Sequence, residues 1–289
     1  MISISKDFKN PPKKLLDSKR NDLIKDSLIT KNKHKFNGSV YRKTTIEALE
    51  ALYNHKCAYC ETDTSAGAPL QVEHFRPKAK VDNIEEDPEH YGYYWLAYEW
   101  SNLTLGCSKC NNAKKNHFPI TGNRLSEPIS FDANGLPTDK YLQLNSETLL
   151  AEKPVLLNPE IDEVEKHFYF LPNGEIKGLS DRGQQTIEIL KLNRNRLIFW
   201  RKKLVDDCLN DISNTLEDFI AKRINIETCQ YYIRNIFSKI AQQQHPSKQY
   251  SRFDFFMFSK FEIFFGNQLQ PKQRQAVMRF FEMYREGTL

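Results

Sequence analysis

From residue 180 onward, apolar positions return at steps of three and four almost without interruption, the period of a helix with one buried face. Leu197, Leu204, Val205, Cys208, Leu209, Ile212, Leu216 and Phe219 form such a stripe and predict a long helix that Asn193 can cap. Ser180 can cap a shorter helix running through Leu190. Ile226, Cys229, Ile233, Ile236, Phe237 and Ile240 mark another, and two more are predicted around residues 253–265 and 271–285. Upstream the pattern shortens. Residues 45–53 read as helix, residues 70–74 and 102–106 as short strands flanking an acidic and aromatic insertion at 81–100, and residues 167–177 as a hairpin turning at Pro172-Asn173-Gly174. Residues 121–165 are rich in Gly, Pro, Asn and Asp. The predicted fold class is therefore α+β, mainly helical. Its parts are a basic N-terminal arm with one short helix (1–44), a compact module (45–120), an irregular linker with a hairpin (121–179) and a helical domain that is a candidate for partner binding (180–289).

Composition narrows the class. A chain of 289 residues can build a core without disulfides. Charged residues make up 27%, and no uncharged apolar run approaches the ~18–20 residues needed to span a bilayer, so no membrane partner is expected. The first residues lack the apolar core and small-residue cleavage site of a secretory signal, which predicts a cytoplasmic protein. A net charge of +5 is too mild to establish a polyanionic partner, so the distribution of charge matters more than its sum. The cysteines change the picture. Cys57 and Cys60 form one C-x-x-C, Cys107 and Cys110 another, while Cys208 and Cys229 fall within helical periodicity as small buried apolar residues. Two such turns supply the thiolates of a closed, tetrahedral, structural Zn²⁺ site.

Between the cysteine pairs lie Val72-Glu73-His74-Phe75-Arg76-Pro77-Lys78 and Ser101-Asn102-Leu103, and the second pair leads into Cys110-Asn111-Asn112-Ala113-Lys114-Lys115. A carboxylate beside a His, an Asn opening the next strand, and an Asn starting a short helix resemble, in that order, the HNH endonuclease family in its zinc-bracketed form. The resemblance implies that residues 45–120 are a zinc-braced ββα-metal module, with Glu73 on a catalytic metal, His74 on the attacking water and Asn111 as a second metal ligand. It implies further that Asn102 ties the loop backbone and orients the His. Chemically, an imidazole titrating near neutrality is an effective base at cellular pH. A site with few oxygen ligands suits Mg²⁺ or Mn²⁺. Neighbouring strand residues face opposite ways, so Glu73 and His74 need a twist or a strand end to serve one site. The sequence departs from the commoner Asp or His by using Glu73, and from the usual short loop by an insertion carrying Asp82, Glu85, Glu86, Asp87 and Glu89. His117 is a candidate extra ligand or phosphate contact. Arg76, Lys78, Lys80, Lys114 and Lys115 are candidate nucleic-acid contacts.

The second half narrows the resemblance. Leu156-Leu157-Asn158-Pro159, the hairpin, and the run from Arg182-Gly183-Gln184-Gln185 to Leu192-Asn193-Arg194 are similar to the HNH subunit of Septu-type anti-phage systems, which also occurs with retrons. So is the aromatic stretch Tyr94-Trp95-Leu96-Ala97-Tyr98-Glu99-Trp100. What this implies is a phosphodiester-hydrolysing effector acting on DNA or RNA, partnered by an SMC-like ATPase and, in the retron setting, by a reverse transcriptase with its nucleic acid. Lys191, Arg194, Arg196, Arg201, Lys202 and Lys203 either extend a nucleic-acid channel or form a solvated helix face. The Phe-dense run at 253–265 exceeds what one helix face buries; core packing is the first reading, but because Phe255, Phe256, Phe258, Phe261, Phe264 and Phe265 fall on several sides of a single helix, part of the run is expected to meet the ATPase through residues 250–285. Two other classes compete with the nuclease: a zinc ribbon that grips nucleic acid without cutting it, and an adaptor working through its aromatic helices. Glu73, His74 and Asn111 separate the first of these, because a binder has no use for a base and ligands between its zinc pairs.

Overall fold

The computed structural model describes residues 1–82 and 90–289. The acidic positions Glu85, Glu86, Asp87 and Glu89 of the insertion lie outside the described residues. The chain is α+β and mainly helical, and it divides into two compact units. The first comprises Met1–His167 with Gly178–Leu192, the second Phe168–Lys177 with Asn193–Leu289. These limits differ from those drawn on composition, and burial explains why. Residues 121–165 are loop-rich, yet Tyr141, Leu142, Leu144, Leu149, Leu156 and Leu157 are buried.

The first unit opens with helices α1 (Lys13–Leu16), α2 (Arg20–Thr30) and α3 (Gly38–Leu52). Asn37 caps α3 by accepting the Ser39 N–H. The lysine-rich start is not a free arm: Met1, Lys6, Phe8, Leu15 and Ile24 are all buried. Strands β1 (Gln71–His74) and β2 (Leu103–Gly106) then pair antiparallel, with Glu73 opposite Thr104 and His74 opposite Leu103. Helix α4 (Ser108–Lys114) follows β2 directly, and α3 packs across both strands. Two short helices, α5 (Asp139–Leu142) and α6 (Glu147–Leu150), bring the loop-rich segment onto the aromatic stretch. There the buried Trp95 donates its indole N–H to the Tyr141 carbonyl at 3.0 Å. The high aromatic content thus builds this core.

In the second unit the hairpin of β3 (Phe168–Phe170) and β4 (Ile176–Gly178) turns at Gly174, whose φ of +85° suits glycine. A Cβ there would lie 2.4 Å from the Ile198 carbonyl oxygen. Helix α7 (Asp181–Ile189) belongs to the first unit and is capped by Ser180, which accepts the Gly183 N–H. Helices α8 (Asn195–Ile220) and α9 (Ile226–Gln243) pack together, joined by α10 (Ser251–Ser259), α11 (Phe261–Phe264) and α12 (Pro271–Arg285). Asn193 does not cap α8; Arg194 stands at that position, and the Asn193 amide instead brackets Ile176, accepting from its N–H at 2.8 Å and donating to its carbonyl at 2.7 Å.

The Phe-dense run breaks at Lys260 into α10 and α11, and the break re-aims its rings toward several neighbours. Phe261 stacks on Phe281 at 4.1 Å, Phe253 meets Phe170 at 5.7 Å, and Phe256, Phe264 and Phe265 are buried as well. The run is mostly core, so its density does not require an outside surface. The basic run is also largely occupied: Arg201 is buried, while Lys202 and Lys203 pair with Asp206 and Asp207 one turn along α8.

Arg76 and Glu152, both fully buried, sit 2.9 Å apart in the first unit. Glu152 also accepts the Tyr93 hydroxyl and the Leu125 N–H. Removing one partner leaves a buried charge uncompensated. Glu152→Ala is therefore expected to lower stability by about 3–5 kcal/mol, measured by urea unfolding of the full chain.

Candidate functional site

Cys57, Cys60, Cys107 and Cys110 are buried, and their sulfurs all lie within 4.8 Å of one another. Local backbone turns arrange them. The Cys57 N–H bonds to the Thr62 carbonyl, the Ala58 N–H to Leu105 of β2, and Glu61 takes a left-handed φ of +61° to close the first knuckle. Cys107 stands at the N-cap of α4, placing Cys110 one turn along. The Cys60–Cys107 sulfur separation of 3.8 Å suits two vertices of a tetrahedron with metal–sulfur distances of about 2.3 Å. Burial pushes the Cys57 thiol up, whereas thiol hydrogen bonds from Cys110 and Cys57 hold Cys107 at about 7. Packing so many thiols into a dry site favours a cation that stabilises their charged forms. The donor set fits zinc.

At the end of β1 the His74 ring is buried, edge-on to Tyr41 of α3 with centroids 4.7 Å apart. Its Nε2 lies 2.9 Å from the Ala97 carbonyl oxygen, which can only accept, so Nε2 carries the proton and donates. Burial, with Lys78 adding to it, holds the ring's pKa well below the usual imidazole value, which favours the neutral ring and corrects the expectation of a base titrating near neutrality. Its lone pair therefore resides on Nδ1, which bonds to no described group. Asn102 sets this geometry through three side-chain bonds. Its Oδ1 accepts the Arg76 N–H at 2.8 Å, and its Nδ2 donates to the carbonyls of Arg76 and Leu96 at 3.0 and 3.1 Å. Leu96 directly precedes the Ala97 that holds the His.

Glu73 and Asn111 converge on Gly106. A Cβ built there would stand 3.6 Å from the Glu73 Cβ and 4.0 Å from the Asn111 Cβ. The Asn111 Nδ2 donates to Gln71 Oε1 at 2.9 Å, leaving its Oδ1 to accept or coordinate. Glu73 Oε1 accepts from Lys114 at 2.9 Å, and its second oxygen has no bond of this kind to a described residue. These are oxygen donors of the type that hard divalent cations take.

Not every expected contact faces solvent. Lys114 is buried, held by Glu73 and by the His74 carbonyl at 2.8 Å, and Arg76 is buried against Glu152 and the Leu149 carbonyl. Neither is placed to meet a phosphate, which corrects the expectation for both. Lys115 and Lys80 are exposed, and Lys78 is half-buried over the rings of Phe36 and Tyr41. His117 is half-buried just beyond α4, with its backbone N–H bonded to the Lys114 carbonyl. Sequence reasoning missed Arg42, Lys43 and Gln71, which join Asn111 in lining a cleft of about 300 Å³ beside β1. It missed Tyr41 and Ala97 too. Ala97 acts through its backbone, which no residue type signals, whereas the three-residue step from Asn111 to Lys114 could have shown that both share one face of α4.

Asn102→Ala would leave the N–H and carbonyl of Arg76 and the carbonyl of Leu96 without these bonds in a dry environment. The expected loss is on the order of 2–4 kcal/mol, read from the denaturation midpoint, with Asn102→Asp retaining only the accepting half.

No family model matches the chain. It is 31% identical over 218 residues to the Septu protein PtuB of Bacillus mycoides (strain KBAB4), a match that covers 72% of this chain and 68% of that protein. It is also 26% identical over 195 residues to the Septu protein PtuA of the same strain, covering 66% of this chain but only 24% of the longer relative. The identity and mutual coverage of the first match show that the chain belongs to the family of the Septu protein PtuB.

Proposed function

We propose that the chain is a metal-dependent HNH nuclease that hydrolyses phosphodiester bonds in DNA or RNA, and that it serves as the effector of a Septu-type anti-phage system. The observation that carries this reading is the orientation of His74. Its Nε2–H is tied to the Ala97 carbonyl, which leaves the Nδ1 lone pair to take a proton from water, and Glu73, the residue before it on β1, approaches Gly106 together with Asn111.

In this reading Glu73 and Asn111 hold Mg²⁺ or Mn²⁺, which when bound supplies Lewis-acid stabilisation of charge on the phosphate and the leaving oxygen. His74 accepts the water's proton at Nδ1. Asn102 keeps the imidazole aimed by fixing Leu96. Lys78, Lys115, Arg42 and Lys43 supply positive charge for the substrate backbone. The four thiolates hold a structural Zn²⁺ whose role is to anchor β2 and α4. An SMC-like ATPase of the same system is the proposed partner, with a retron reverse transcriptase and its nucleic acid as a further component where one is present. Similarity to two Septu proteins supports placing the chain in that setting.

His74→Ala is expected to reduce cleavage of a mixed DNA and RNA substrate pool, assayed with Mg²⁺ and the ATPase partner, by roughly 10²–10⁴-fold while zinc content and unfolding temperature hold. Near wild-type cleavage would sink the assignment. Cys107→Ser should separately lose the zinc detected by elemental analysis and destabilise the module, because metal binding and folding of such a site are linked.

A further inference from the structure

The start of α8 carries a surface that packing within the second unit does not use. From Leu190 to Val205 the chain has six cationic residues and no acid. Leu197, Arg201 and Val205 turn inward, while Arg196, Phe199, Trp200 and Lys203 fall together on the opposite side of the helix at 100° per residue. Phe199 is 51% exposed and Trp200 40%, and their rings meet edge to face with centroids 5.3 Å apart. Adjoining large rings on solvent mark a contact surface, which a lone exposed apolar residue does not. The Arg196 guanidinium lies 5.3 Å from the Phe199 ring and 5.1 Å from the Trp200 ring, and it pairs with no carboxylate among the described residues.

The backbone beneath these rings is held firmly. The hairpin turn at Gly174 lies so close to α8 that a Cβ there would stand 2.4 Å from the Ile198 carbonyl oxygen and 2.9 Å from the Lys202 nitrogen. On the inner side the buried Arg201 lies 5.9 Å from the Phe170 ring. Side chains presented from a helix fixed in this way keep their relative positions. Charge then decides what the surface fits. The centre of a protein interface is depleted in charged residues, lysine above all, whereas these rings are bracketed by cations. Single-stranded nucleic acid offers both partners at once, a π face on every base and a phosphate on every nucleotide; a duplex keeps its base faces inside its own stack. Lys203 is paired with Asp207 one turn along, an exposed contact weak enough to be exchanged for a phosphate.

We infer that this face of α8 holds single-stranded nucleic acid, with bases stacked on Phe199 and Trp200 and phosphates on Arg196 and Lys203. The inference rests on the nuclease reading for its purpose, and it names the form of strand that the second unit takes.

The test is strand binding by the full chain without added divalent metal, so that holding is read apart from cutting. Labelled single strands of DNA and of RNA about 12 nucleotides long, a duplex of the same length and base-free polyphosphate are compared by fluorescence anisotropy at one fixed low salt concentration. Trp95 and Trp100 are 0% and 5% exposed, so Trp200 is the exposed tryptophan of the three, and a stacked base should quench its emission. At least one single strand is expected to bind at least tenfold more tightly than duplex and polyphosphate and to quench that emission. Phe199→Ala and Trp200→Ala should each weaken it roughly 5- to 150-fold, and Trp200→Phe should restore most of the affinity where Trp200→Leu does not. Zinc content and unfolding temperature confirm that each variant is folded. No strand binding, a preference over duplex or polyphosphate below tenfold, or an affinity unmoved by the ring variants would overturn the inference. Ring variants that release the ATPase partner and leave strand binding intact would assign the face to a protein and overturn it equally. A chain that holds the strand through these rings and never cuts it keeps this site and loses the nuclease reading, whereas His74-dependent cleavage that ignores the ring variants does the reverse.

Discussion

Each strand of the β1–β2 ladder has only four residues, and a two-stranded sheet is marginally stable in water unless other groups anchor it. Everything in the candidate site depends on how that ladder is held. At one end the first cysteine knuckle bonds to β2 through the Ala58 N–H, and Cys107 follows the strand. At the other, the Phe75 N–H bonds to the Asn102 carbonyl while the Asn102 side chain brackets Arg76. Beneath the sheet, the Tyr53 hydroxyl meets Thr104 at 2.9 Å and Glu160 at 2.6 Å, and Lys6 reaches both Glu160 and the Leu103 carbonyl. Glu73, His74 and Gly106 inherit their positions from these anchors.

Buried charge does much of the anchoring. Lys6 with Glu160, Arg76 with Glu152 and Lys114 with Glu73 each join segments far apart in the chain. Burial pulls the Lys6 pKa down and pushes the Glu160 carboxyl up, so desolvation opposes each partner's charged form. Such pairs add little net stability compared with apolar packing, but breaking one is costly, and this constrains register. The cations nearest the site are therefore internal struts. Charge for a polyanion must come from the outer residues, Arg42, Lys43, Lys78 and Lys115.

Periodicity and spacing made much of this legible. The two strands, the hairpin at Gly174, the Ser180 cap and the four-cysteine cluster all follow from local pattern, because turn chemistry and C-x-x-C spacing act over a few residues. Burial of charged residues was not legible. Arg76 and Lys114 look like phosphate contacts until their carboxylates arrive from Glu152, distant in sequence, and from Glu73 on the adjacent strand. Loop-rich composition likewise hid the core role of residues 121–165, since a helix as short as α5 or α6 leaves almost no periodic trace. The Phe run misled for the opposite reason: its pattern assumes one helix, and the break at Lys260 makes two.

The basic N-terminal segment shows how positioning of the candidate base reaches far beyond the motif. Arg20 donates to the Tyr98 carbonyl at 3.0 Å and pairs with Glu99, while the Asn37 N–H donates to the Tyr98 hydroxyl at 2.8 Å. His34 lies 2.9 Å from that same hydroxyl through Nε2 and 2.8 Å from Asp26 through Nδ1. Tyr98 is thus gripped at its backbone and at its ring by residues from α2 through the start of α3, and it directly follows Ala97, whose carbonyl fixes the His74 ring. Tyr41 of α3 covers that ring from another side. The segments that composition presents as a lysine-rich arm therefore converge on Tyr98, the neighbour of the Ala97 whose carbonyl sets the tautomer, and on the ring itself through Tyr41. A segment with this many directed bonds to the loop is part of the site's rigid frame, because small displacements of an orienting carbonyl translate directly into misaim of the proton acceptor.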